Sequence, residues 1–128
     1  MIDKTFEKTN KKNISLMSKN SNFQKLTKSW FKLSEKYQSS YHFSWMGRPI
    51  IQYPQDIIAL QEIIWKIQPD LIIETGIARG GSLILSASIL QLIGKGNVIG
   101  IDVDIRKQNR REIEKHPMFK RIKMIEGS

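Results

Sequence analysis

A glycine-rich turn between two apolar segments constrains this chain more than any other feature. The apolar run at residues 71–73 ends in an acid, Glu74, and the turn that follows contains Gly76, Gly80 and Gly81. A strongly apolar segment comes next. This order predicts a strand, a tight turn and a buried helix, the arrangement by which open α/β sheets hold nucleotide-type ligands. Glycine permits close backbone approach in such a turn, and the helix start offers unpaired N–H groups.

Hydrophobic periodicity predicts further helices and strands around this turn. Apolar residues three and four apart predict an amphipathic helix from Ser21, which forms a capping box with Gln24. A second helix is predicted from Pro54 to the residues before Pro69. An aromatic connector joins these two helices. Three strands and two intervening helices are then predicted at residues 71–74, 81–93, 98–101, 106–115 and 122–126.

Strands that alternate with helices predict a parallel sheet with right-handed crossovers. The expected fold class is therefore α/β, as the N-terminal half of a Rossmann-like, doubly wound sheet with strand order 3-2-1, preceded by helices. The strand at residues 71–73 would then form an apolar edge without a neighbour. We therefore expect a C-terminally truncated module, with a homo-oligomer or a missing C-terminal half as the partner of that edge.

The chain divides into three predicted parts. Residues 1–20 are rich in Lys, Asn and Ser, a composition that predicts a disordered basic tail. Residues 21–53 hold the N-terminal helix and the aromatic connector, and residues 54–128 form the partial cofactor-binding domain.

The formal net charge is +9, and most of it lies outside the glycine turn, because residues 1–40 carry nine lysines against three acids. A basic arm can bind nucleic acid or anionic lipid, but a solvated tail is the simpler interpretation. No Arg-rich cluster or zinc pattern accompanies it, so nucleic acid is not an expected partner.

The sequence has no cysteine, no secretory pattern and no run of the ~20 apolar residues that span a membrane. We expect a cytoplasmic protein.

The spacing of the turn separates two classes of cofactor. A dinucleotide fingerprint is Gly-x-Gly-x-x-Gly, whereas here Gly76 is followed after three residues by Gly80 and Gly81. This spacing, after an acid, is typical of S-adenosylmethionine (SAM) sites. Glu74 suits a ligand with an ammonium and a sulfonium but no phosphate. Asp102, at the end of the second strand, can accept hydrogen bonds from both ribose hydroxyls, or alternatively cap a helix. An NAD-linked oxidoreductase and another nucleotide-binding α/β domain are the competing interpretations.

Several further blocks stand in order along residues 41–128. They are residues 45–56 (WMGRPIIQYPQD), 60–65 (LQEIIW), 69–76 (PDLIIETG), 80–82 (GGS), 98–106 (VIGIDVDIR), 114–117 (EKHP) and 125–128 (IEGS). Together they resemble the cephalosporin hydroxylase / rhamnosyl O-methyltransferase family. The resemblance implies a SAM-dependent O-methyltransferase that acts on a hydroxyl of a sugar, glycolipid or related small molecule, present here as its cofactor-binding half.

The resemblance also implies roles for six residues. Those that shape the turn, touch the methionine end and hold the ribose are Glu74, Gly76, Gly80, Gly81, Ser82 and Asp102. Some relatives use Mg²⁺ held by acids beyond the third strand. Such positions would follow Ser128, so no metal ligand and no catalytic base is assigned, and Mg²⁺ is expected only in a longer form. The alternative is a non-catalytic remnant or pseudoenzyme that at most binds nucleotide-like ligands.

Overall fold

The structure is a computed structural model that describes residues 3–127, so the first two residues of the predicted tail and Ser128 lie outside it. It divides into two compact units, Met1–Ser39 and Ser40–Ser128. The first unit contains α1 (Lys4–Lys19) and α2 (Ser21–Lys36). This division falls within the predicted segment 21–53, so the three-part division remains a prediction.

Residues 4–19 differ from the predicted disordered tail, because they form α1. The Asp3 side chain caps this helix by accepting a hydrogen bond from the Thr5 N–H at 2.9 Å. Glu7 in the first turn and Lys19 in the last turn complement the helix dipole. No residue of α1 is buried, so these local interactions at the helix ends, rather than a packed face, favour helix here.

The start of α2 also differs from the predicted capping box. The Asn20 side chain accepts a hydrogen bond from the Phe23 N–H at 2.9 Å, so Asn20 is the N-cap and Ser21 is the first helical residue. Either residue type can cap a helix, and a shift of one position is typical of how sequence patterns misplace helix ends.

The second unit opens with a β-hairpin that lies within the predicted aromatic connector. Its strands are β1 (Phe43–Trp45) and β2 (Arg48–Ile50), which pair antiparallel. The two residues between them, Met46 and Gly47, both have positive φ (+46° and +82°). This is the backbone that a two-residue type I′ hairpin turn requires.

The remainder of the second unit alternates helices with parallel strands. The elements are α3 (Pro54–Ile67), β3 (Leu71–Thr75), α4 (Gly81–Ile93), β4 (Asn97–Asp102), α5 (Lys107–Glu114) and β5 (Ile122–Glu126). The strands form a parallel sheet in the order β3-β4-β5, with Ile73 opposite Ile99 and Ile99 opposite Lys123. The α/β class is therefore confirmed. A doubly wound sheet that extends beyond β3 remains a prediction.

Helix α4 forms the centre of the core. Nine of its thirteen residues are buried, and it packs against α3, β4 and the β1–β2 hairpin. The hairpin lies directly on the start of α4, since a Cβ at Gly81 would stand 2.3 Å from the Pro49 carbonyl oxygen. Only glycine fits there. The hairpin is thereby held against the turn that precedes α4.

The two faces of the sheet are covered unequally. Ile72 and Val98 belong to the face that packs against the core. On the other face Leu71 is 47% exposed and Ile73 is 60% exposed. Within residues 3–127 no helix combines the length and the apolar character needed to cross a bilayer.

Candidate functional site

The turn between β3 and α4 adopts a backbone that glycine makes possible. Gly76 and Gly80 have φ of +78° and +83°, and Ala78 between them has φ of +45°. A left-handed alanine is unfavourable by roughly 1–2 kcal/mol, so surrounding contacts must hold it. At Gly80 an added Cβ would also lie 2.4 Å from Cδ1 of Ile113. The turn is therefore packed closely against the side of α5.

The Asp102 carboxylate organises this turn from the end of β4. Its Oδ2 accepts a hydrogen bond from the Ile77 N–H at 2.9 Å, and its Oδ1 accepts one from the Asp104 N–H at 3.3 Å. These backbone N–H groups, with that of Asp104 first, lower the pKa of Asp102 below its ordinary value. A carboxylate has about four acceptor sites, so both oxygens retain capacity for a ligand.

Helix capping does not explain either acid at the end of β4. The N-cap residue of α5 is Arg106, and no side chain makes a capping hydrogen bond there. The alternative role of Asp102 as a helix cap is therefore wrong. Asp104 makes no capping hydrogen bond there either.

Glu74 lies at the carboxyl end of β3, next to the first turn of α4. Burial raises the pKa of its carboxyl group, and the hydrogen bond from Ser82 lowers it in part. In that bond the Ser82 hydroxyl donates to Oε1 of Glu74. Ser82 therefore orients the acid instead of capping α4, whose N-cap Gly80 has no side-chain partner.

Two adjoining cavities of about 310 Å³ and 290 Å³ lie on either side of the turn, and the residues that line both are Ile51, Ala78 and Arg79. Five of the six predicted site residues line this cleft: Glu74, Gly76, Gly81 and Ser82 in the first cavity, and Asp102 in the second. Gly80 lines neither cavity, and it shapes the turn from within. The two acids thus line different, adjoining cavities of this cleft.

Sequence reasoning missed three side chains that the structure brings to this cleft or to the turn beside it. Gln52 lines the first cavity, and its Oε1 is buried without a hydrogen-bond partner in the described part of the chain. Arg48 and Asn109 hold the carbonyl groups of the turn. The residue block 45–56 contains Arg48 and Gln52, but no spacing rule assigns either to a site.

Trp45 lies outside the cleft. Its Nε1–H donates to Oγ of Ser88 at 3.0 Å, and it lines a separate cavity of about 250 Å³.

Among residues 3–127 no three His, Asp or Glu side chains come together as a metal site.

Comparisons with known proteins found one family profile and several similar structures. A profile described as rhamnosyl O-methyltransferase/CmcI matches residues 37–128. No curated protein matches the chain. Among solved structures, CmcI with SAH is 24% identical, with a TM-score of 0.54, and the match covers 67% of this chain and 43% of that one.

Two further CmcI structures are similar to this chain. The apo structure is 23% identical, with a TM-score of 0.56 over 69% of this chain and 36% of its own. The structure with Mg and SAM has the same identity and TM-score, over 69% and 37%. These likenesses show a shared fold, and this chain spans less than half the length of each. The profile covers most of the chain, and the chain therefore belongs to the rhamnosyl O-methyltransferase/CmcI family.

Proposed function

We propose that the cleft binds SAM and that the protein is a SAM-dependent O-methyltransferase, of which this chain supplies the cofactor-binding half. The observation that carries the proposal is the pair of acids, Glu74 and Asp102, which lie at the ends of neighbouring strands and line adjoining cavities of one cleft. The CmcI structures with SAH and with Mg and SAM support it.

The chemistry of the cleft suits SAM better than a dinucleotide. A carboxylate at Asp102 can accept hydrogen bonds from the two ribose hydroxyls, since its ionised form is favoured by the surrounding N–H groups. In the first cavity, Glu74 is a half-buried acid that a ligand ammonium would stabilise. A pyrophosphate in the same cleft would meet two carboxylates, which repel it.

The first cavity also offers an acceptor that lacks a donor. A buried polar atom without a hydrogen bond is unfavourable by about 1–3 kcal/mol. Oε1 of Gln52 is such an atom, and an amide oxygen can only accept. A ligand ammonium beside Glu74 would bring the N–H donors that the site lacks. We therefore assign the methionine end of SAM to the first cavity and its ribose to the second.

When bound, SAM supplies an electrophilic methyl group on a sulfonium. The residues of this chain bind and orient it, so their contribution is proximity and alignment. We propose a hydroxyl of a sugar, glycolipid or related small molecule as the acceptor, on the strength of the family description. The described residues do not fit a Mg²⁺ site, because residues 3–127 hold no cluster of acids and histidines.

Isothermal titration calorimetry tests the proposal with SAH, SAM and NAD⁺ on the 128-residue chain. We expect SAM and SAH to bind one site with Kd on the order of 1–100 μM, and NAD⁺ not to compete. Asp102→Asn should weaken SAH binding about tenfold or more, whereas the matched exposed variant Asp56→Asn should not change it. Binding of NAD⁺ in preference to SAM would overturn the proposal.

The competing function, a non-catalytic module that only binds nucleotide-like ligands, predicts the same titration. In a radiolabelled assay with glycoside acceptors, transfer of label to an acceptor would support the methyltransferase and rule out a module that only binds.

A further inference from the structure

A ring of hydrogen bonds ties the glycine turn to two elements outside it. The Arg48 guanidinium, on β2, donates to the Arg79 carbonyl oxygen from Nε at 3.1 Å and from Nη2 at 2.6 Å. The Asn109 amide, on α5, donates from Nδ2 to the Ala78 carbonyl oxygen at 2.9 Å. Nη2 of Arg48 also donates to Oδ1 of Asn109 at 3.4 Å, which closes the ring.

These bonds hold the two turn residues that line both cavities. Ala78 and Arg79 line both the cavity that contains Glu74 and the cavity that contains Asp102, so their positions affect the shape of each. Because Gly76 and Gly80 flank them, the backbone of the turn has other conformations available. The observed one contains a left-handed alanine, which makes it unfavourable unless neighbouring groups hold it.

The side chains of the ring make several directed hydrogen bonds to the turn and to each other, which packing alone would not require. Arg48 lines neither cavity, yet it directs two N–H groups of a charged, planar fork at one carbonyl oxygen. Charge-assisted hydrogen bonds of this kind are stronger than neutral ones, and lysine cannot reproduce the fork. Asn109 uses both its amide donor and its amide oxygen within the ring.

We propose that Arg48 and Asn109 are positioning residues for the cofactor, which hold the turn at residues 76–80 in the shape that binds SAM. Arg48, on the hairpin β1–β2, thereby contributes to cofactor affinity although it lines neither cavity. The inference rests on the proposed function and extends it to residues outside the glycine turn.

SAH titration of Arg48→Gln, Arg48→Lys and Asn109→Ala tests the inference. We expect Arg48→Gln to weaken SAH binding about tenfold and Asn109→Ala about fivefold. Arg48→Lys should restore little of the affinity, because it keeps the charge but loses the fork. The matched controls are Arg111→Gln and Gln108→Ala, exposed residues of α5, which should stay within about twofold of the unsubstituted chain.

Hydrogen exchange gives a readout that a general loss of stability would not reproduce. In each variant the Ile77 and Gly80 amides of the turn should exchange faster, while the amides of the buried helix α4 keep their protection. Faster exchange throughout α4 would indicate a structural role and overturn the inference. If Arg48→Gln fails to fold, Arg48→Lys and Asn109→Ala decide the question by the same two readouts.

The two proposals fail in different ways. If the unsubstituted chain binds no SAH, the proposed function is wrong and the positioning role falls with it. If the unsubstituted chain binds SAH and all three variants bind it equally well, the proposed function stands and the positioning role is wrong.

Discussion

Glu74 and Asp102 are both carboxylic acids near the ends of strands, yet their surroundings shift their pKa values in opposite directions. Both are acids at the carboxyl ends of neighbouring parallel strands. Burial raises the pKa of Glu74, whereas backbone N–H groups lower the pKa of Asp102. The pair shows that a position at a strand end does not determine the role of an acid, because the groups around the carboxylate do.

The difference indicates two separate tasks within one cleft. Asp102 is held as an anion by the protein itself and already serves the turn by accepting from the Ile77 N–H. Glu74 has one hydroxyl partner, Ser82, and its charge is otherwise poorly compensated. A cationic ligand group would stabilise Glu74 more than it would stabilise Asp102. We therefore expect substitutions at the two sites to have different signatures.

The largest effect is expected from Asp102→Ala. It removes both the proposed ribose contact and the acceptor for the turn, so SAH affinity should fall about 100-fold. Calorimetry measures the affinity, and exchange of the Ile77 amide measures the turn. Retention of full affinity would break the distinction between the two acids, because Asp102 would then have no ligand to hold.

Glu74→Gln should separate stability from binding. The amide carries no charge to desolvate, so the variant should be more stable to urea at pH 7, by about 1 kcal/mol or less. SAH binding should weaken about tenfold, since the ammonium loses its carboxylate. A variant that is destabilised by urea and binds normally would contradict both expectations.

The pH dependence should run in opposite directions for the two acids. The folded pKa of Glu74 lies above its ordinary value of 4.5, so its contribution to stability is present below that pH and is lost as the pH rises through the raised pKa. The folded pKa of Asp102 lies below 3.8, so its contribution is present above 3.8 and is lost as the pH falls through the lowered pKa. Urea titrations from pH 3 to 7 should show the loss of stability due to Glu74 in the unsubstituted chain and not in Glu74→Gln.

The smallest effect is expected from Ser82→Ala. Loss of its hydroxyl removes the one hydrogen bond that lowers the pKa of Glu74, so that pKa should rise further. SAH affinity at pH 7 should fall only about two- to threefold, because the ligand ammonium still compensates the acid. Calorimetry against the exposed variant Ser44→Ala is the matched measurement. A loss as large as that of Glu74→Gln would mean that Ser82 itself contacts the ligand.

The regular elements of the second unit were predictable from periodicity and glycine. Helix α4 and strand β5 occupy the predicted residues, whereas β3 is longer than predicted by one residue at its end and β4 by one residue at each end. Apolar residues that recur over a long segment predict the type and the position of an element well. The hairpin β1–β2 was missed because each of its strands has only three residues, although Met46-Gly47 supplied the turn.

The part of the candidate site that was predictable consists of the glycines of the turn and the acids at the strand ends. Five of the six predicted residues line one cleft. The side chains that hold the turn were not predictable, because Arg48 and Asn109 meet it only through the fold, 31 residues away from Arg79 and Ala78 respectively. No local pattern records a contact of that separation. The opposite pKa shifts of the two acids likewise depend on burial, which spacing alone does not give.

The most direct measurement is the pKa of Glu74 with and without ligand, by NMR of ¹³C-labelled glutamate carboxyl groups, assigned with Glu74→Gln. The account predicts a pKa above 4.5 in the free chain, a clear decrease with SAH, and little change with adenosine, which lacks the ammonium. An unchanged pKa with saturating SAH would contradict the claim that this cleft holds the amino acid end of SAM at Glu74.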